Sequence, residues 1–146
     1  MSSVLGCPQT QPALDAGLPP DEIVSRRVWQ IIASLCPQGH HPERRTAQRF
    51  PYPKLLYLTG VAENGITPRD DSIAVVGKHL SERGLGFYYQ QPLPNRRMIA
   101  SLEGPEADWY GFLIDITWCR FTEHGWYDSG GRFLMAVPSP ISARRR

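Results

Sequence analysis

Three cysteines are spread over the 146 residues, Cys7, Cys36 and Cys119, an odd number with no CxxC pair among them. Neither a disulfide framework nor a zinc ribbon is therefore the expected source of stability, and reduced thiols are the plain expectation. No apolar run approaches the roughly 20 residues that a helix needs to span a bilayer. Met1 to Gly17 holds Pro, Gln and Asp but lacks the basic-then-apolar order of a secretory signal. Charge of one sign is scarce as well: the formal net charge is +2, and three of the sixteen basic residues are the terminal Arg144-Arg145-Arg146. The nearly neutral remainder argues against a broad nucleic-acid surface and suits a small anion held at one basic cluster. Catalytic signatures are missing too: there is no Walker loop, no HExxH and no nucleophile beside a base. The expected class is a soluble, cytoplasmic protein with no enzymatic activity, no membrane segment and no cofactor.

Residues 1–20 are rich in Pro, Gly, Ser and Gln without apolar period and read as a flexible leader. Asp21 after Pro19-Pro20 is a candidate N-cap, and Val24, Val28, Ile31, Ile32 and Leu35 recur at helical spacing, which predicts an amphipathic helix over 21–36 that stops before Pro37. Gln38 to Arg49 is polar and basic, a loop. After it the period becomes that of strands: Lys54 to Thr59, Ser72 to Lys78, Leu85 to Gln90, Arg97 to Leu102, Trp109 to Thr122 and Trp126 to Val137. Turn clusters such as Glu63-Asn64-Gly65 and Glu123-His124-Gly125 separate them. Six strands in succession without an intervening helix predict an all-β, antiparallel sheet closed into a small barrel, preceded by one α-helix. The domain is expected over 37–138, with 37–49 as its basic loop and 139–146 as a disordered basic tail.

Two segments carry the chemistry. Arg44-Arg45-Thr46-Ala47-Gln48-Arg49 places three guanidiniums within six residues. His79-Leu80-Ser81-Glu82-Arg83-Gly84 is a Ser-x-x-Gly turn with His79 two residues ahead of the serine. Guanidinium forks match phosphate oxygens and the Hoogsteen edge of guanine in a bidentate geometry that lysine lacks. Each residue also has a plain reading: Arg44, Arg45 and Arg49 as solvated loop charges, Ser81 as a cap on its own backbone, Gly84 as a turn residue with positive φ, and His79 as a half-exposed side chain. Cys36, His40 and His41 lack a fourth partner, so no metal site is expected. Trp109, Tyr110, Trp118, Trp126 and Tyr127 read first as core and cross-strand aromatics rather than as base-stacking platforms.

The order RRxxxR, strand, loop, strand, then [Asp/Asn]-x-Ser-x-x-Gly resembles the PilZ domain, a small bacterial β-barrel, over roughly Arg44 to Val137. The resemblance implies a six-stranded antiparallel PilZ-like barrel and a receptor for the second messenger cyclic di-GMP, with Arg44, Arg45, Arg49, His79, Ser81 and Gly84 as ligand-binding residues. It also implies an arginine loop that is mobile when empty and wraps the ligand when bound, signalling by conformational change to a protein partner. His79 departs from the family's Asp or Asn, and a neutral imidazole offers only one acceptor nitrogen in that slot. A degenerate PilZ-like barrel serving as a protein interaction module is the alternative. A binder of single-stranded nucleic acid is a weaker one.

Overall fold

Pro20 opens helix α1 (Pro20–Leu35) of the computed structural model, which describes residues 17–35 and 48–141. Proline suits a first helical position because its missing N–H would have no partner there. The N–H groups of Glu22 and Ile23 bond the Pro19 carbonyl at 3.0 and 3.2 Å, so the helix starts ahead of Asp21, which lies in the first turn with Glu22 rather than at the cap. Acidic side chains there oppose the positive end of the helix dipole. Val24, Val28, Ile31 and Ile32 form the buried stripe, and α1 lies chiefly against the last strand. No helix among the described residues is long and apolar enough to cross a membrane.

Seven strands follow: β1 (Phe50–Pro51), β2 (Leu55–Val61), β3 (Pro68–Leu80), β4 (Gly84–Tyr89), β5 (Arg97–Glu103), β6 (Trp109–Phe121) and β7 (Tyr127–Val137). The sheet runs β1-β3-β2-β5-β6-β7-β4, and a further β3–β4 pairing closes it into a six-stranded antiparallel barrel. The two-residue β1 is an addition that pairs with the far end of β3. β3 can serve three partners because it is 13 residues long: its first part pairs β2, and its last part lies between β1 and β4. Closure leaves no long unpaired edge, the standing hazard of a small sheet.

The barrel interior is filled by Leu56, Leu58, Leu80, Phe87, Met98, Leu102, Phe112 and Ile114, and α1 covers one end. The β2–β3 turn works as its Glu63-Asn64-Gly65 cluster implies: Asn64 Oδ1 accepts from the N–H of Ile66 and of Thr67, both at 2.9 Å, and Gly65 has φ +79°. The end of the chain departs from expectation at its beginning. Ser139 shares a 2.7 Å hydrogen bond with buried Ser101, and Ile141 is buried, so residues 139–141 belong to the packed body; 142–146 lie outside the described residues.

Candidate functional site

The pairing of β1 with β3 determines what stands beside the Ser-x-x-Gly turn. Phe50 lies opposite Leu80 and Pro51 opposite His79, so by antiparallel register Arg49, which is exposed, leads into the sheet beside Ser81. The structure thus brings Arg49, His79, Ser81 and Gly84 to one corner of the barrel. Arg44 and Arg45 lie outside the described residues, as do Cys36, His40 and His41 of the rejected metal array.

The Ser81 hydroxyl closes the turn on itself. Ser81 N–H bonds the Gly84 carbonyl at 2.9 Å, and Ser81 Oγ donates to that same carbonyl and accepts from the N–H of Arg83 and of Gly84, each at 3.3 Å. The hydroxyl therefore caps its own backbone, as serines in such turns do. Gly84 corrects an expectation. Positive φ among the described glycines occurs at Gly17, Gly65 and Gly125 and not at Gly84. What Gly84 supplies is the absence of a side chain where β4 meets β7.

His79 belongs to a row that crosses five strands: Pro51, His79, Gly86, Gly130 and Trp118 stand opposite one another in turn. The two central positions are glycines and the flanking rings cover them. A Cβ on Gly86 would fall 2.7 Å from His79 Nε2, and one on Gly130 would fall 2.2 Å from Trp118 Nε1. Burial first, and then the positive charges of Arg49 and Lys78, hold the imidazole below the ordinary histidine value of 6.5, while Asp128 pulls weakly the other way. The ring is neutral at pH 7, and its Nδ1 is buried without a hydrogen-bond partner among the described residues.

One step along the strands lies the parallel row of Val76, Tyr88, Asp128 and Arg120. Asp128 is 1% exposed and is held by two cations, Lys78 at 3.1 Å to both carboxylate oxygens and Arg120 at 3.1 Å. Lys78 Nζ also stands 5.2 Å from the centre of the Tyr88 ring and 5.7 Å from that of Trp118, within cation–π range. Two cations on one carboxylate leave a net positive charge beside the half-buried Tyr88 ring and the exposed Trp118 ring. The row lines an open cleft of about 510 Å³ that continues to Thr122, His124 and Trp126. Its walls are apolar and its edge is cationic, a combination suited to a flat aromatic ligand carrying negative charge.

No protein-family profile and no curated protein matches this chain. Among solved structures it is similar to K. pneumonia MrkH in its apo state, with a TM-score of 0.38 and 13% identity over 73% of this chain and 49% of that one. The chain thus spans about half the length of MrkH.

The sequence gives no sign of Lys78, Tyr88, Arg120, Asp128 and Arg132 as site residues, and Trp118 is expected in the core. Trp118 is 43% exposed rather than part of the core, and the reason is local. The β6–β7 register slips between Ile116, opposite Gly131, and Trp118, opposite Gly130, and such a bulge reverses which face the following residues present. Ile116 is buried and Trp118, two residues on, is outside. A similar slip between Gly77 and His79 makes Lys78 the extra residue of β3. The other aromatics mostly do pair: Tyr57 with Trp109, Phe112 with Phe133, and Tyr89 stacked on Tyr127 at 5.2 Å. Arg132, opposite Gly84, adds an exposed cation to the corner.

Proposed function

We propose that this chain is a receptor for cyclic di-GMP, with the arginine segment that ends at Arg49 and the His79-to-Gly84 turn gripping the dinucleotide on the outside of the barrel. The observation that supports the reading is the register of β1: Phe50 opposite Leu80 brings Arg49, the last residue of the arginine segment, beside the Ser-x-x-Gly turn. The PilZ resemblance supplies the ligand's identity. Physical chemistry supplies the fit, since guanidinium forks bind phosphates bidentately and guanine faces stack on aromatic rings and cations. Arg49 and Arg132 stand where a phosphate would reach the corner, and Tyr88, Trp118 and Lys78 form the adjoining platform. Arg44 and Arg45, just upstream in sequence, complete the clamp in this reading. Output passes to a protein partner through the rearrangement of the clamp.

A thermal shift with cyclic di-GMP, run beside GMP and a single-stranded oligonucleotide, tests it. Specific stabilisation by the cyclic dinucleotide is expected, because a ligand that binds only the folded state at about 100 times its Kd adds about 2.7 kcal/mol. No shift with the dinucleotide sinks the proposal. A second reading, a PilZ-like interaction module without nucleotide binding, draws on two observations: the Ser81 hydroxyl is spent within its own turn, and the His79 ring already covers Gly86. It expects no shift with any nucleotide.

A further inference from the structure

Helix α1 meets both site segments at one side chain. The Trp29 indole N–H donates to Glu82 Oε2, and the same oxygen accepts from Ser25 Oγ at 3.0 Å. Residues 25 and 29 are one helical turn apart and so share a face. On its other side the Trp29 ring meets Phe50 edge-on, centroids 5.5 Å apart at 78°. Phe50 follows Arg49, and Glu82 follows Ser81. One indole therefore touches the residue that follows the arginine segment and a residue within the Ser-x-x-Gly turn. The turn itself does not need a carboxylate at position 82, because Ser81 closes it and the Arg83 carbonyl is fixed by the Phe133 N–H at 2.8 Å. Among the described contacts, the Glu82 carboxylate accepts from two side chains of the helix.

We propose that Trp29 is a positioning residue of the candidate site, tying the Arg49 segment and the Ser81-to-Gly84 turn to helix α1 through Phe50 and Glu82, so that the helix senses both segments at once. The tie exists in the ligand-free protein; only its use in nucleotide recognition rests on the receptor reading.

Two measurements separate these parts. Amide hydrogen exchange on the ligand-free full chain compares wild type with Trp29→Phe, which keeps a ring against Phe50 but loses the donor, with Glu82→Ala and with Glu82→Gln, which keeps an acceptor oxygen. In Glu82→Ala, and in Trp29→Phe to a lesser degree, exchange is expected to rise about fivefold or more in residues 79–84 and 49–52 while β5 and β6 stay unchanged, with Glu82→Gln close to wild type. Unchanged exchange at either segment, or an equal rise over the whole barrel, overturns the tie. Calorimetry with cyclic di-GMP then reads its use: Glu82→Ala should bind about fivefold more weakly and Glu82→Gln within about twofold. Wild-type affinity in Glu82→Ala overturns the link to the ligand. If wild type itself does not bind, the receptor reading and the link to nucleotide fail together, while the exchange result still decides the tie.

Discussion

Gly84 approaches the carbonyl of Gly131 so closely that a Cβ placed on it would fall 2.1 Å from that oxygen. The glycine of the Ser-x-x-Gly turn is thus required by the seam between β4 and β7, and its place beside the candidate ligand corner is a consequence of that seam.

The contrast with Gly86 makes this testable. A methyl on Gly84 meets backbone, which can yield only by parting two strands, whereas a methyl on Gly86 meets the His79 ring, which can swing away. Gly84→Ala should cost about 1–3 kcal/mol or more, and Gly86→Ala about 1 kcal/mol or less. Urea unfolding of both variants decides it; equal midpoints would mean that β7 gives way freely at Gly84.

Asp128 offers a second prediction. Its carboxylate is almost fully buried, yet Lys78 is 29% and Arg120 70% exposed at their side chains, so solvent screens part of the attraction and relieves part of the loss when the acid is removed. Asp128→Asn keeps one acceptor oxygen and the shape. It is expected to lose about 1–2 kcal/mol, below the 3–5 kcal/mol typical of breaking a fully buried pair. Guanidinium denaturation measures it, with Arg120→Gln as the milder companion. A loss above that range would show that the two cations are shielded more than their exposure indicates.

How much of this was legible follows from where strand alternation holds. The helix stripe from Val24 to Ile32 obeys a simple period, the six long strands show as runs rich in Val, Ile, Leu and aromatics between turn clusters, and the barrel follows from their succession. That Arg49, Ser81 and Gly84 belong to two separate local patterns was legible in the sequence; that the fold brings the patterns together was not. The β1 pairing that joins them involves two residues and leaves no periodic trace. The aromatic and cationic platform was hidden for a different reason: bulges at Thr117 and Lys78 reverse the inside–outside order, so Trp118 carries the pattern of a core residue while lying outside. Glu82, in turn, is indistinguishable in sequence from a solvated turn residue, since its donors come from a helix more than 50 residues away.

Arg49 tests the geometry of the clamp rather than its charge. Arg49→Ala removes a charge-assisted contact and should weaken cyclic di-GMP at least about tenfold, or about 1.4 kcal/mol. Arg49→Lys keeps the charge but loses the planar fork, so it should recover only part of that loss. Calorimetry at two salt concentrations separates the cases. Full recovery by lysine would reduce Arg49 to a screened point charge, and wild-type affinity in the alanine variant would remove it from the site.

The His79 ring couples stability to pH and, on the receptor reading, would couple binding to it with the opposite sign. Its folded-state value lies below 6.5 because of burial and the nearby Arg49 and Lys78, while in the unfolded chain it titrates near ~6.5. Above that value both states are neutral there and His79 adds no pH dependence. As pH falls through it, the unfolded chain takes the proton first, and stability declines until the folded ring is protonated too. A bound phosphate paired with Arg49 would cancel part of the positive field that now opposes protonation, raising the ring's value in the complex. Binding would then take up a proton, so affinity should rise as pH falls through the ring's value in the complex, even while the free protein loses stability. His79→Asn removes the proton and should flatten both His79 contributions. Thermal melts and calorimetric titrations of the two proteins between about pH 7.5 and about pH 5.5 check this against the ordinary histidine range. Affinity that falls with pH in wild type alone would mean that a neutral ring accepts a hydrogen bond from a guanine N–H instead, and identical profiles in both proteins would leave His79 outside the recognition step.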